Sequence, residues 1–168
     1  MELIGPEIAA AGPPGWVSRL VEALQPLSVR ADRLGAIAVF AGLQRPELEL
    51  AARCFTETLV ERGTRMTVQG HPSSRLWLIT QGEALVSADA RPIRVAGHGD
   101  VVGGATLLTR LDSPETTIAL TSIRAFEAGP QQFRELIRDR AIRRRLATLS
   151  RLKHPPRRRT PAGASAAR

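Results

Sequence analysis

The chain has 168 residues, 43% of them hydrophobic and 24% charged, which suits one buried core and leaves little room for several domains. A single cysteine, Cys54, excludes an intramolecular disulfide, and three separated histidines, His71, His98 and His154, offer no metal constellation. The net charge of +8 is uneven, because residues 134–160 hold 11 Arg/Lys against Glu135 and Asp139, whereas residues 1–133 hold 12 basic and 14 acidic side chains. No apolar run approaches the ~20 residues of a membrane helix. The N-terminus lacks the basic start and apolar stretch of a secretory signal, so a cytoplasmic protein is expected.

Residues 1–15 are rich in Pro, Gly and Ala and read as a flexible N-terminus. An N-terminal helical segment follows over 16–39. Trp16, Val17, Leu20, Val21 and Leu24 fall at helical spacing up to Pro26, and Val29 to Phe40 reads as a second short helix stopped near Gly42. Pro46 suits the first turn of a third helix, whose apolar face would be Leu48, Ala51, Ala52 and Phe55. Cys54 on that helix reads as a small core residue.

From Thr56 the pattern changes to short β-type segments: TLVERG, RMTVQG, RLWLITQG, ALVSADA, PIRVAGHG and TTIALTSIRAF. Glycines 63, 70, 82, 97 and 99 punctuate them, which indicates an antiparallel sandwich or barrel. Leu76, Leu78 and Val86 are expected to alternate with polar or half-exposed partners, and Trp77 to be a packing residue. His71 and His98 fall in turns and are expected to be solvated. Gly129-Pro130 opens a helix carrying Phe133, Leu136 and Ile137. A last helix would place Ile142, Leu146, Leu149 and Leu152 on one stripe, ending at Pro155-Pro156. Residues 153–168 read as a basic disordered tail. The expected fold is mainly β with flanking helices: an antiparallel β-roll or jelly roll between N-terminal and C-terminal helices.

Phe40-Ala41-Gly42-Leu43 with Pro46-Glu47-Leu48 resembles the entry signature of the cyclic nucleotide-binding domain family, which includes the sensor half of the catabolite activator protein. Gly63, Met66, Gly70, Pro72, Leu76-Trp77, Ile79 and Gly82 match that family's G-x-x-L-x-x-x-G-x-P-x-x-x-L-Y-x-I-x-x-G spacing. Gly99-Asp100-Val101-Val102-Gly103 matches its G-D-x-F-G. The resemblance covers residues 40–152, taken as the cyclic nucleotide-binding-like domain.

The resemblance implies a ligand cassette after Gly103, where F-G-E-x-A-L-L turns backbone N–H groups toward a cyclic phosphate. A helix N-terminus favours an anion through its unpaired donors and its dipole. The family glutamate holds the ribose, and an arginine of R-S-A pairs with the phosphate. Here the stretch is Val102-Gly103-Gly104-Ala105-Thr106, so the ribose glutamate is Gly104. R-S-A falls on Ser113-Pro114-Glu115, so the phosphate arginine is a serine and a carboxylate stands nearby. Losing one charge-assisted pair costs about 1.5–3 kcal/mol. Arg110, Thr106, Thr116 and Thr117 are the side chains that would compensate, together with the backbone of residues 103–106. Restoring Gly104→Glu with Ser113→Arg is expected to recover affinity if the backbone there is intact.

No catalytic triad, phosphate-binding loop, paired carboxylates or metal ligands appear, so neither catalysis nor a cofactor is expected. The arginines Arg143, Arg144, Arg145, Arg157, Arg158 and Arg159 are the candidates for non-specific contact with nucleic acid or an acidic partner. The stripe through Ile142 suggests a homodimer seam or a face for a protein partner, or equally a face packed back on the roll of the same chain. The sequence therefore points to a non-enzymatic regulatory module with weak, altered or lost cyclic nucleotide binding, signalling through its C-terminal helices. Its ligand would be a cyclic nucleotide or another small anion. The alternative is a nucleic-acid-associated or acidic-partner-associated protein that uses the roll as a scaffold.

Overall fold

The structure, a computed structural model, describes residues 25–104 and 112–153, with backbone only for 148–153. The expected helix through Trp16 and the tail from His154 lie outside the described residues. Helix α1 (Leu27–Gly35) and a 3-10 turn (Ala38–Phe40) lead into α2 (Arg45–Cys54). Eight strands follow: β1 (Thr56–Val60), β2 (Arg65–Thr67), β3 (Leu76–Gln81), β4 (Ala84–Ala88), β5 (Arg91–Ala96), β6 (Val101–Gly103), β7 (Thr116–Ala119) and β8 (Ile123–Ala128). Helices α3 (Pro130–Leu136) and α4 (Arg140–Lys153) close the described chain.

The strands form two four-stranded antiparallel sheets, one ordered β1-β8-β3-β6 and the other β2-β7-β4-β5. Trp77, Ile79, Val86, Val102, Ile123 and Ala125 fill the space between them. A second core lies on the outer face of the first sheet, where Leu76, Leu78 and Phe126 meet Leu34, Phe40, Phe55, Phe133, Leu136, Ile142 and Leu146 from the helices. The fold is thus a β-roll with a helical layer on one side. Phe40, Phe55 and Phe126 link that layer edge to face, with ring centroids 5.9 and 6.2 Å apart, a favourable aromatic geometry.

Local chemistry sets the element ends. The Gln44 backbone N–H donates to the Glu47 carboxylate at the start of α2, with Pro46 in its first turn. The Asp139 carboxylate accepts the Ile142 N–H at 2.9 Å and so caps α4, relieving an otherwise unpaired helix donor. Gly63, Gly70 and Gly82 all take positive φ at their turns. At Gly82 the need is steric as well, since a Cβ there would overlap the Ser122 carbonyl oxygen.

Three sequence expectations need correction, and one open alternative is decided. The helix read over Val29 to Phe40 begins at Leu27 and ends at Gly35, where the chain tightens into a 3-10 turn. A Cβ at Gly35 would come within 3.1 Å of Leu48, so glycine lets α1 and α2 approach closely. The segment TTIALTSIRAF is two strands in different sheets. The Leu120 N–H turns away to donate to the Glu83 carbonyl at 2.8 Å, and the chain crosses from one sheet to the other. Strand β3 does not alternate buried with half-exposed residues: Leu76 and Leu78 enter the helical core while Trp77 and Ile79 enter the roll. Its sheet is covered on both faces. Finally, Ile142 and Leu146 are buried in their own chain, so this half of the α4 stripe is not a seam between copies.

Candidate functional site

The candidate site is built from the end of β6 and the approach to β7. Its middle, residues 105–111, lies outside the described residues, and with it Ala105, Thr106 and Arg110. Val102 pairs with Trp77 and is fully buried between the sheets, so it contributes apolar lining. Gly103 and Gly104 both have positive φ, 74° and 73°. A Cβ at Gly103 would overlap the Arg75 carbonyl oxygen, and one at Gly104 would overlap Cδ1 of Leu76. Any L-residue at such φ also meets its own backbone, at roughly 1–2 kcal/mol. The double glycine is therefore a conformation as well as a missing carboxylate. A glutamate at Gly104 would therefore carry the strain of a positive φ and displace the Leu76 side chain.

On the other side, Ser113 is buried and tied at three points. Its N–H donates to the His71 carbonyl at 2.8 Å, and its carbonyl accepts the Gly70 N–H at 2.9 Å. Its hydroxyl donates to the Glu115 carbonyl at 2.7 Å. The serine that stands where the resemblance calls for a phosphate arginine thus spends its donor within the chain. Thr117 is fully buried, with its hydroxyl 3.0 Å from that of Thr67, which also lies 3.1 Å from the Glu115 carbonyl. Thr116 alternates with Thr117 and pairs with Ser87 on the opposite face, and its hydroxyl accepts the Gln69 N–H at 2.9 Å. The structure brings Ser113 and Thr117 inward and turns Thr116 away.

Sequence reasoning missed two inward-facing groups, Thr67 and Arg94. In the β5 segment Ile93-Arg94-Val95-Ala96, hydrophobic patterning would bury Ile93 and Val95 and expose the arginine. The structure does the reverse: Ile93 is 57% and Val95 52% exposed, whereas the Arg94 side chain is only 24% exposed. Arg94 shares its face with buried Ala96 and sits opposite fully buried Val86. Its Nη1 lies 3.5 Å from Oδ2 of Asp100, which also accepts the Gly97 N–H at 2.9 Å. The signal available beforehand was Ala96, a small residue two positions on that invites burial of the same face.

Cys54 is buried, and desolvation, followed by the Glu135 charge, pushes its thiol pKa up against a smaller opposing effect of Arg53. That disfavours a thiolate nucleophile. His71 and His98 are exposed, each with Nδ1 near a backbone carbonyl, of Gln69 and Thr80 respectively. Arg143, Arg144 and Arg145 are exposed on α4, while Arg157, Arg158 and Arg159 lie outside the described residues. Among the described residues no cluster of three or more His, Cys, Asp or Glu side chains can hold a metal ion. Nor is any described helix long and apolar enough to cross a membrane.

Comparison with known proteins agrees with this geometry. The family profile for the cyclic nucleotide-binding domain matches residues 57–140, half of the sequence. The chain belongs to the cyclic nucleotide-binding domain family. Among solved structures it is similar to the regulatory domain of Toxoplasma gondii PKA with cAMP, at 15% identity and a TM-score of 0.65, covering 74% of this chain and 49% of that one. A cAMP-binding acyltransferase from Mycobacterium smegmatis aligns at 25% identity and a TM-score of 0.58, covering 76% and 41%. The Thermus thermophilus catabolite activator protein aligns at 22% identity and a TM-score of 0.61, covering 68% and 57%. The chain thus spans about half the length of these three solved structures. No curated protein matches it. The two sheets and glycine turns described above belong to this cyclic nucleotide-binding domain.

Proposed function

We propose that this cyclic nucleotide-binding domain is a non-enzymatic regulatory module, cytoplasmic and centred on residues 40–152, in which binding of ordinary cyclic AMP is weak. The observation that carries the reading is the conformation of the two replaced anchors. Gly104 occupies a positive-φ backbone geometry that strains any L-residue and sets its Cβ against Leu76, and the Ser113 hydroxyl is committed to the Glu115 carbonyl. Without a carboxylate for the ribose and a guanidinium for the phosphate, two charge-assisted contacts of about 1.5–3 kcal/mol each are missing. Together they correspond to a loss of at least about a hundred-fold in affinity. Signalling would pass through α3 and α4, because Phe133, Leu136, Ile142 and Leu146 pack on the same outer face of the sheet that carries β6.

Calorimetric titration of the whole chain with cyclic AMP tests the reading. We expect no submicromolar binding, and at saturating nucleotide a change in amide hydrogen exchange over residues 130–153. Submicromolar affinity for cyclic AMP, or binding that leaves those helices unchanged, would overturn it. A second reading, non-specific contact with nucleic acid or an acidic partner, is favoured by the exposure of Arg143, Arg144 and Arg145 along α4.

A further inference from the structure

We infer that Gln69 is a positioning residue of the candidate site, one that straps the stretch from Ser113 to Thr116 to a strained turn at the tip of the β4–β5 hairpin. The inference rests on the reading of that stretch as one side of the ligand site and names the side chain that holds it. Three observations meet at Gln69. The first is the turn. Ala88 pairs with Arg91, so β4 and β5 join through Asp89 and Ala90 alone. Both have positive φ, 50° and 59°, and they are the only non-glycine residues to do so among those described. A two-residue hairpin takes this geometry because it matches the twist of the strands, and Asn-Gly or Asp-Gly usually supplies it. Aspartate tolerates the left-handed region, whereas the alanine Cβ crowds the following carbonyl oxygen. A residue held this way persists where its surroundings over-determine it.

The second observation is what holds it. The Gln69 side chain closes a ring of two hydrogen bonds with Asp89. Its Oε1 accepts the Asp89 N–H at 2.7 Å, and its Nε2 donates to Asp89 Oδ1 at 2.8 Å. Both bonds form only when the turn presents its N–H and its carboxylate on the same side.

The third is where Gln69 stands. It lies in the loop after β2, and its own N–H donates to the Thr116 hydroxyl at 2.9 Å. The next two residues bind Ser113: the Gly70 N–H donates to the Ser113 carbonyl at 2.9 Å, and the Ser113 N–H to the His71 carbonyl at 2.8 Å. In the second sheet β7 lies between β2 and β4, so Gln69 grips the start of β7 with its main chain and reaches the hairpin beyond with its side chain. The turn and the Ser113 stretch are therefore balanced across one residue. Opening the turn relieves Ala90 and loosens the bonds at Ser113; settling the turn tightens them.

Amide hydrogen exchange followed by NMR on the full chain tests this. Gln69→Ala removes two hydrogen bonds and should speed exchange at Gly70 and Ser113 by about ten-fold or more. The Phe133 N–H, which donates to the Gly129 carbonyl in the helical layer, should be unaffected. Ala90→Gly accepts the positive φ without strain and should slow exchange at Gly70 and Ser113. Gln69→Glu sets one carboxylate against another and should loosen the stretch, and adding Asp89→Asn should restore it by returning an amide donor from the other side. General packing would not respond to that exchange of donor and acceptor. Unchanged exchange at Ser113 in Gln69→Ala, a rise that includes Phe133, no slowing in Ala90→Gly, or a Gln69→Glu defect that Asp89→Asn leaves in place would each overturn the assignment. If Gln69→Ala fails to fold, Ala90→Gly and the paired exchange decide. None of these measurements needs a ligand, so submicromolar cyclic AMP binding would overturn the reading of the site and leave the strap standing.

Discussion

Cys54 shows how a single residue records its surroundings. Its thiol lies in the helical core, and desolvation, with the nearby Glu135 carboxylate, holds its pKa above the ordinary thiol value of about 8.5. A group whose native pKa is raised contributes stability that is complete below its unfolded pKa and is lost as pH climbs through the native value. Cys54 should therefore make the fold less stable on the alkaline side. The composition makes this measurable. The chain has no tyrosine and one lysine, Lys153, so few other side chains titrate between about pH 8 and 11. Urea unfolding followed over that range should show a falling midpoint, and Cys54→Ala should flatten the decline. A decline of equal size in Cys54→Ala would assign it elsewhere. In the native state, thiol-reactive reagents should modify Cys54 only slowly, because the thiolate is the nucleophile and the side chain is buried.

At the scale of elements, α4 shows what periodicity leaves open. Its stripe of Ile142, Leu146, Leu149 and Leu152 reads equally well as a seam between copies or as the inner face of a monomer, because period alone does not say what lies opposite. The structure decides for the first two residues: Ile142 is fully buried and Leu146 nearly so, against Phe133, Leu136 and the 3-10 turn of the same chain. Ile142→Ala should therefore cost about 2–5 kcal/mol of unfolding free energy, the range for truncating a buried branched side chain. That loss should be the same at low and high protein concentration. A concentration-dependent midpoint would indicate stability drawn from association instead. The same limit explains what else was legible. The glycine turns were readable because positive φ is a local demand, and the changes at Gly104 and Ser113 were readable as missing residue types. The two-sided burial of β3 was not, since it depends on a helical layer contributed by residues both before and after the sheet. Nor was β5, where Arg94 and its apolar neighbours exchange faces and the alternating pattern points the wrong way. The route by which the Ser113 hydroxyl reaches the Glu115 carbonyl likewise exists only once the chain is folded.

Taken whole, the molecule separates its charge from its β-roll. Residues 1–133 carry 12 basic and 14 acidic side chains, while residues 134–160 carry 11 basic against two acidic. Long-range attraction to a polyanion must therefore come from the C-terminal arginines, since the roll is close to neutral. Arg143, Arg144 and Arg145 are exposed on α4, and a second cluster, Arg157, Arg158 and Arg159, follows in the sequence. No aromatic residue occurs after Phe133, so base stacking cannot add affinity or sequence preference there. What remains is release of counterions from phosphates, for which the affinity for duplex DNA falls on a log–log salt plot with a slope of about −0.9 per phosphate neutralised. Six engaged arginines give a slope of about −5, so binding seen at low salt should be largely gone at physiological ionic strength. Replacing Arg157, Arg158 and Arg159 by glutamine should cut the slope by about half and leave cyclic nucleotide titrations unchanged. Replacing Arg143, Arg144 and Arg145 in the same way should remove the other half. Filter-binding or anisotropy measurements against two unrelated duplexes from low to physiological salt give both the slope and any preference. A slope that ignores these substitutions, or an affinity that differs between the duplexes, would place the polyanion contact on the roll and reverse this separation of charge from fold.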